Sequence, residues 1–187
     1  MNTQEIRNIL SRGVPKSYRT TVLPADKLNV VSSQQFAIVA NNQTSNQPGM
    51  HWIAMFKKRG SKEVEFFDSC AMPIEFYSPT FESFLSSKAN VVRMSNTRIQ
   101  AATSNACGHF SIYYLLHRVR GVSFERILQT FDEFDLDSND RIVRKFVADN
   151  CEATNLIITT QNAELEAESE VLTIVQCCEI LHQLLQL

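Results

Sequence analysis

The sequence predicts a single domain of the α+β class, and three observations indicate it. The chain has 187 residues, which is the size of one ordinary domain. Short apolar runs typical of strands fall in its first half, and longer stretches with helical periodicity dominate the second half. No repeat with a period of roughly 20 to 50 residues is visible, which excludes solenoids and propellers. We therefore expect one domain over residues 1–187.

The composition is that of a folded globular protein. Hydrophobic residues make up 44% of the chain and charged residues 20%, with only five Gly and five Pro. The formal net charge is -2, and the calculated pI is about 6.1. A whole-surface attraction to nucleic acid is not indicated by this balance, so any contact with DNA has to be local.

The cysteines indicate a reduced, intracellular protein. Their number is odd, and their spacing is not that of a disulfide framework. The N-terminal residues carry no apolar leader, and no window approaches the roughly 18 apolar residues of a membrane span. We expect a protein that acts in aqueous solution and is not secreted. The five cysteines are Cys70, Cys107, Cys151, Cys177 and Cys178.

The first elements are a short helix and a buried strand. Residues 3–11 have helical apolar spacing, and Gly13 and Pro15 end that helix. Residues 15–29 are mixed and turn-rich, so no element is predicted there. The apolar run 34–40 is expected to be the first central strand, and the polar segment after it an exposed loop.

A β-hairpin follows the polar loop. Residues 51–56 and 63–68 read as strands, and the basic segment 57–62 between them reads as the turn. A hairpin brings the outer ends of its strands together. His51 and Asp68 are therefore expected to meet at one end of the sheet.

The second half is predicted to be mainly helical. Ser78 is a suitable N-cap and is followed by a proline, which favours a helix from there to about residue 87. The stretch after Cys107 is apolar on most of its circumference, which predicts a buried helix that ends at Gly121. The remaining predicted elements are a strand at 91–94 and helices at about 123–131, 138–150 and 163–187.

Cys107 is the candidate nucleophile. It is expected in the first turn of the buried helix, where free backbone N–H groups and the helix dipole stabilise a thiolate. A buried structural thiol would have the same local sequence, so the surroundings must decide.

The other groups of a cysteine hydrolase are also present. Such an enzyme needs an imidazole, a group that orients it and donors for the oxyanion. His51 and Asp68 supply the first two through the hairpin. Gln100, seven positions before Cys107, supplies a side-chain amide beside the backbone N–H of Cys107.

The order and spacing of these four residues resemble the adenain family, the adenovirus-type maturation proteases, with relatives in virophages and Maverick-type elements. The pattern is His-Trp, an acid seventeen residues after the His, and Gln-x6-Cys-Gly. The resemblance extends from about Gly13 to about Phe131. Its most specific pieces are Gly49-Met50-His51-Trp52 and Ser104-Asn105-Ala106-Cys107-Gly108.

The resemblance implies a papain-like active site in permuted chain order, with a mixed sheet packed against the helix that carries the nucleophile. It implies that Cys107 is the nucleophile, His51 the general base and acid, Asp68 its orienting group and Gln100 an oxyanion donor. The implied substrates are viral capsid or scaffold precursors, often cut after Gly-x-Gly or Gly-Gly. The implied location is the infected cell, in the cytoplasm or a viral factory, and then the virion. No cofactor or metal is expected.

The sequence departs from the family pattern in two places, and the second affects the expected partners. Asp68 stands where adenovirus enzymes have Glu, although ubiquitin-like-protein proteases of the same clan use Asp. Adenovirus enzymes also bind DNA and an activating peptide that forms a disulfide with a cysteine upstream of the glutamine. Residues 88–100 contain no cysteine here. We expect no disulfide-linked activator, weak or absent DNA binding and no membrane partner.

Three alternative functions remain open. A protease for ubiquitin-like modifiers shares the four residue types, but those relatives generally leave five residues between Gln and Cys, against six here. A clan-related acetyltransferase shares the His, acid, Cys order, but no basic cluster for acetyl-CoA or inositol phosphate is obvious. A non-catalytic binding module would carry an inert thiol.

Three local motifs have competing interpretations. Cys70 is a possible second thiol near the site, although it lacks a helix N-terminus. Cys178 and His182 lie one helical turn apart, as two zinc ligands could. The sequence offers no second pair of ligands with zinc spacing, so packing in the core is the favoured interpretation. The segment 135–146 imitates an EF-hand loop but lacks its Gly and final Glu, so Asp137 or Ser138 is the expected N-cap of a helix.

Overall fold

The computed structural model describes residues 1–151, of which 1–147 form one compact unit. Its helices are Thr3–Gly13 (α1), Pro79–Lys88 (α2), Cys107–Val119 (α3), Phe124–Leu128 (α4) and 136–151 (α5). Its strands are Arg19–Pro24 (β1), Phe36–Asn41 (β2), Trp52–Lys57 (β3), Glu63–Phe67 (β4) and Val91–Met94 (β5), with 3₁₀ turns at Ala25–Val30 and Ile74–Phe76. Among these helices, none is long and apolar enough to cross a membrane.

The five strands form one mixed sheet in the order β1-β2-β3-β4-β5. The two outer pairs, β1 with β2 and β4 with β5, are parallel, and the two inner pairings are antiparallel. The β3–β4 pair is the predicted hairpin. The mixed sheet with its helices confirms the predicted α+β class.

Both faces of the sheet are covered. On one face, α2 and the 3₁₀ turn at Ala25–Val30 enclose a core that includes Phe36, Ile38 and Phe66. On the other face, α3 packs against β3, and α1 packs against α3 and β1. Every residue of β2 is buried, as expected for a strand with helices on both sides.

Strand β1 was not predicted, because the segment 15–29 was interpreted as turn-rich. The strand contains good β-formers, Thr20, Thr21 and Val22, but it lies at an edge of the sheet and only Val22 is buried. A strand with one buried side chain lacks the apolar run that identifies β2. The strand at Phe36–Asn41 is thus the second in the chain, and the first that lies inside the sheet and not at its edge.

Two helix boundaries also differ from the predictions. Helix α4 ends at Leu128, three residues before the predicted end at residue 131. Helix α5 begins at 136, and the carboxylate of Asp135 accepts a hydrogen bond of 2.9 Å from the backbone N–H of Ser138. Asp135 is therefore the N-cap, and the prediction of Asp137 or Ser138 was wrong by a few residues.

The predicted helix at 163–187 lies outside the described residues, as do Cys178 and His182. The single domain over 1–187 stays a prediction.

A buried ion pair fastens the helix that begins at Cys107 to the sheet. Arg118 of α3 makes a bidentate contact with Glu65 of β4, with nitrogen–oxygen distances of 2.6 and 2.7 Å. The hydroxyl of Tyr114 donates to the same carboxylate, and its ring stacks on Phe67 at 4.2 Å. The two side chains of the ion pair are only 15% and 10% exposed. The position of α3 on the sheet is therefore fixed by charge as well as by packing.

We expect Arg118→Met to lower the free energy of unfolding by about 3 kcal/mol, because Glu65 would be left buried without its cation. Arg93→Met is the matched control, since Arg93 also pairs with a strand glutamate, Glu63, and with Glu125, but is 37% exposed. Loss of these two exposed pairs should cost only about 1 kcal/mol. Urea unfolding of both variants measures the difference, and equal losses would contradict this account of the ion pair.

Candidate active site

The four predicted site residues lie at one end of the sheet. His51 immediately precedes β3, Asp68 immediately follows β4, and Cys107 is the first residue of α3. Gln100 lies in the loop between β5 and α3. His51, Gln100 and Cys107 line one cavity of about 270 Å³, so the structure brings together side chains from three separate segments of the chain.

His51 is held through its backbone and its ring. The side chain of Asn42 accepts a bond of 3.0 Å from the backbone N–H of His51, and the N–H of Asn42 donates to the His51 carbonyl, also at 3.0 Å. The ring nitrogen Nε2 lies 2.6 Å from Oδ1 of Asp68, as the hairpin predicted. This leaves Nδ1 free for Cys107, with which His51 interacts strongly enough to shift the pKa of both groups.

The Asp68 carboxylate is buried and fully hydrogen-bonded. It is 1% exposed and receives four hydrogen bonds. Oδ1 accepts from His51 and from the backbone N–H of Cys70 at 2.9 Å, and Oδ2 accepts from the N–H of Met72 at 2.8 Å and the hydroxyl of Tyr77 at 2.6 Å. The chain curls around the carboxylate through Ala71, whose φ of 52° is unusual for a residue other than glycine.

Two residues that support Asp68 were missed by the sequence reasoning. The hydroxyl of Ser95 accepts from the backbone N–H of Asp68 at 3.0 Å and donates to its carbonyl at 2.7 Å. The ring of Tyr77 lies parallel to the His51 ring, 6.4 Å away, while its hydroxyl binds the carboxylate. Both contacts are tertiary, and no local sequence pattern indicates either of them.

Cys107 occupies the first position of α3. The backbone N–H groups of Trp52 and Gly108 stabilise its thiolate and help to lower the pKa of Cys107. The next residue is Gly108, where a Cβ would lie 3.3 Å from atoms of Met1, Ile6 and Trp52. Glycine at this position allows close packing of those side chains on the start of the helix.

The titration of the three charged groups is coupled. Burial raises the pKa of the Cys107 thiol, but the hydrogen bond and charge of His51 outweigh it, and the pKa lies below its usual value. Burial also lowers the pKa of His51, but its bonds to Asp68 and Cys107 raise it overall to about 9. The pKa of Asp68 is lowered, because His51 and Tyr77 stabilise the carboxylate against its burial. These directions favour a thiolate beside an imidazolium at neutral pH.

Cys70 is a poorer nucleophile than Cys107. Burial and the negative charge of Asp68 raise the pKa of its thiol to about 11. At neutral pH that thiol is protonated and unreactive. The surroundings of the two candidate thiols thus raise the pKa of Cys70 and lower that of Cys107.

Gln100 is fixed on the wall of the cavity that also contains Cys107. Its side chain is 3% exposed, although a glutamine in a loop is usually solvated. Oε1 accepts from the hydroxyl of Ser69 at 2.6 Å, and Nε2 donates to the carbonyl of Ser104 at 2.9 Å. An amide nitrogen has two hydrogens, so the bond to Ser104 leaves one for a further acceptor.

The spacing of His51, Asp68 and Cys70 also permits a metal ion, since one ligand atom from each lies within 4.8 Å of the others. A metal would have to displace hydrogen bonds from a carboxylate that already receives four. It would also need the thiolate of Cys70, whose pKa is about 11. The donor set therefore does not fit a resident metal well.

The chain is similar to a known protein family and to several solved structures. The adenovirus endoprotease family matches residues 27–130. No curated protein matches the sequence. Two crystal structures of the ASFV pS273R protease are similar to it, with TM-scores of 0.54 and 0.50 and identities of 18% and 17%. A structure of ChlaDub1 from Chlamydia trachomatis aligns with a TM-score of 0.46 and 14% identity, over 79% of this chain and 76% of that chain.

Both ASFV alignments cover 76% of this chain but only 65% and 66% of the ASFV chains. At this identity they show a shared fold, which agrees with the mixed sheet and helices described above. The family match covers more than half of the chain and includes all four predicted site residues. The protein therefore belongs to the adenovirus endoprotease family of cysteine proteases, as the resemblance of its motifs predicted.

Proposed function

We propose that this protein is an active cysteine endopeptidase that cleaves viral capsid or scaffold precursors during virion maturation. The observation that carries the proposal is the His51–Asp68 hydrogen bond of 2.6 Å, in one cavity with Cys107 at the start of a buried helix, where His51 lowers the pKa of the thiol. Membership of the adenovirus endoprotease family supports a viral protein substrate. On this proposal the enzyme works in the infected cell and is packaged with its substrates in the virion.

The reaction begins with attack by the Cys107 thiolate on the scissile carbonyl. His51 holds the proton that the thiol has given up, and the carboxylate of Asp68 stabilises the imidazolium and fixes its orientation through Nε2. The lowered pKa of Cys107 and the raised pKa of His51 keep this pair charged before substrate binds.

The tetrahedral intermediate carries a negative oxygen that needs preorganised donors. The backbone N–H of Cys107 is at the first position of α3, where an N–H has no partner within the helix. The Nε2 group of Gln100 supplies the second donor. Because Ser69 and Ser104 hold this amide in place, little reorganisation is required when the charge develops.

Collapse of the intermediate releases the leaving amine, to which the His51 imidazolium gives its proton. The acyl group then remains on Cys107 as a thioester. His51, now neutral, removes a proton from the water that hydrolyses the thioester and restores the pair. The cavity of about 270 Å³ that contains Cys107 and Gln100 receives the residues before the scissile bond.

We expect Cys107→Ala to abolish cleavage of the co-encoded capsid precursors and to leave the fold unchanged, because it removes only the attacking sulfur. Cys70→Ala is the control and should retain cleavage, since its thiol is not ionised. The measurement is incubation with those proteins and identification of new termini by mass spectrometry. Cleavage by Cys107→Ala would sink the assignment, and labelling of Cys107 by a ubiquitin-like-modifier aldehyde would favour a modifier protease instead.

Gln100→Ala should lower kcat by roughly 100-fold, because one oxyanion donor is lost. Ser69→Ala is the matched control: it breaks the same Ser69–Gln100 hydrogen bond but keeps the amide donor. Its effect on kcat should be much smaller. Comparable losses in both variants, measured with one peptide substrate and with melting temperatures checked, would assign Gln100 a structural role only.

The pH dependence of alkylation tests the charged pair. We expect iodoacetamide to modify Cys107 readily at neutral pH, with the rate falling as the pH drops through the lowered pKa of Cys107. In His51→Ala the thiolate should form only at or above the ordinary cysteine pKa of about 8.5, because burial of the sulfur is no longer offset by the imidazolium. Cys70, with a pKa of about 11, is the slow internal standard in the same sample. Mass spectrometry of the two peptides gives both rates, and coinciding pH profiles would argue against an activated thiol.

A further inference from the structure

A second cavity adjoins the active site beside His51. Its volume is about 330 Å³, and its walls include His51, Met72, Phe76, Tyr77 and Arg98. Neither Cys107 nor Gln100 lines it. His51 and Cys70 line both this cavity and the one that contains the nucleophile, so the two are neighbours. We call this second cavity the His51-side cavity.

Large apolar side chains are exposed at the His51-side cavity. Phe76 is 71% exposed and Met72 is 40% exposed. Both belong to the segment that follows Asp68. The backbone of this segment is needed to surround the Asp68 carboxylate, but neither exposed side chain contributes to that role. Exposed apolar side chains that line a cavity beside an active site indicate contact with a ligand.

The chemistry of the proposed reaction indicates which part of a substrate passes this cavity. His51 protonates the leaving amine, so the residues that follow the scissile bond must lie against the imidazole. The oxyanion and the acyl group lie towards Gln100 and Cys107, which line the other cavity. A cavity with His51 in its wall, but neither Gln100 nor Cys107, is therefore suited to the leaving side of the substrate.

Arg98 adds a charge to the apolar walls. The residue is exposed, and its Nε donates a hydrogen bond of 3.0 Å to the carbonyl of Gln100, which orients the guanidinium. Within residues 1–151, no acidic side chain forms an ion pair with Arg98. Its positive charge is thus complementary to a carboxylate supplied by a ligand.

We propose that the His51-side cavity is a specificity site that binds a large apolar side chain of the substrate immediately after the scissile bond, with an acidic substrate residue next to it bound by Arg98. The inference rests on the proposed endopeptidase function and names a substrate feature for it. A volume of about 330 Å³ accommodates one side chain such as Leu, Met or Phe with part of its backbone.

The test is a cleavage profile of the full chain on a library of peptides derived from a bacterial proteome. New termini identified by mass spectrometry give the residues on both sides of each cut. We expect Leu, Met and Phe to be enriched at the first position after the cut, with Asp or Glu enriched at the position next to it. Cleavage without either enrichment overturns the inference and leaves the proposed function standing. Absence of any cleavage overturns both.

Two variants test the named residues. Phe76→Ala should reduce the preference for large apolar residues after the cut roughly tenfold, as expected for loss of apolar contact in a specificity site. Arg98→Glu should change the preference for an acidic residue into a preference for a basic one. Because the site is exposed, we expect the enrichment of acidic residues and that of basic residues each to change by about two- to fivefold. Phe134→Ala is the matched control, because Phe134 is 89% exposed and lines neither of the two cavities.

The profile separates recognition from a structural effect. If Phe76→Ala only disturbed Tyr77 and Asp68, all peptides would be cleaved more slowly and the preferences would stay unchanged. That outcome, or an Arg98→Glu profile equal to wild type, overturns the inference. Peptides with the same acyl half but different leaving halves add a second readout. In Phe76→Ala the differences in acylation rate between these peptides should change, because the leaving half is still present in that step. All of them form the same acyl-enzyme, so their deacylation rate should equal that of the wild type.

Discussion

The rest of the site depends on the burial of one carboxylate. An ionised Asp68 with 1% exposure is tolerable only if donors surround it, and four do. This requirement fixes the end of the β3–β4 hairpin, the turn after β4 with its positive φ at Ala71, and the hydroxyl of Tyr77. The orientation of the His51 ring follows, and through it the state of the Cys107 thiol.

The two sides of the site differ in how they are built. Cys107 begins a helix that is buried on nearly all sides and held to the sheet by the Glu65–Arg118 ion pair, so its position is stiff. The opposite side consists of the turns that follow Asp68. Their backbone N–H groups are held by the Asp68 carboxylate, while the side chains of Met72 and Phe76 are exposed. On the proposed function, a stiffly held nucleophile thus lies beside exposed apolar side chains that can contact a protein substrate.

Much of this arrangement could be predicted from the sequence, for reasons that also show the limits. The hairpin is local and its geometry is generic, so the His51–Asp68 contact followed from two short strands and a turn. Strand β1 could not be recognised, because at the edge of the sheet only Val22 is buried and the chain carries little apolar pattern there. Tyr77 and Ser95 were missed because they reach Asp68 only through tertiary contacts.

The wide separation of the site residues along the chain has a consequence for folding. Asp68 bonds to His51 across 17 residues and to Ser95 across 27, and Cys107 joins them only when α3 lies on the sheet. Contacts of this kind join segments that are far apart in the chain, so the array is complete only when the sheet and α3 have both formed. A nascent or partly folded chain therefore lacks the assembled array, and its thiols have the modest reactivity of ordinary cysteines until folding is complete.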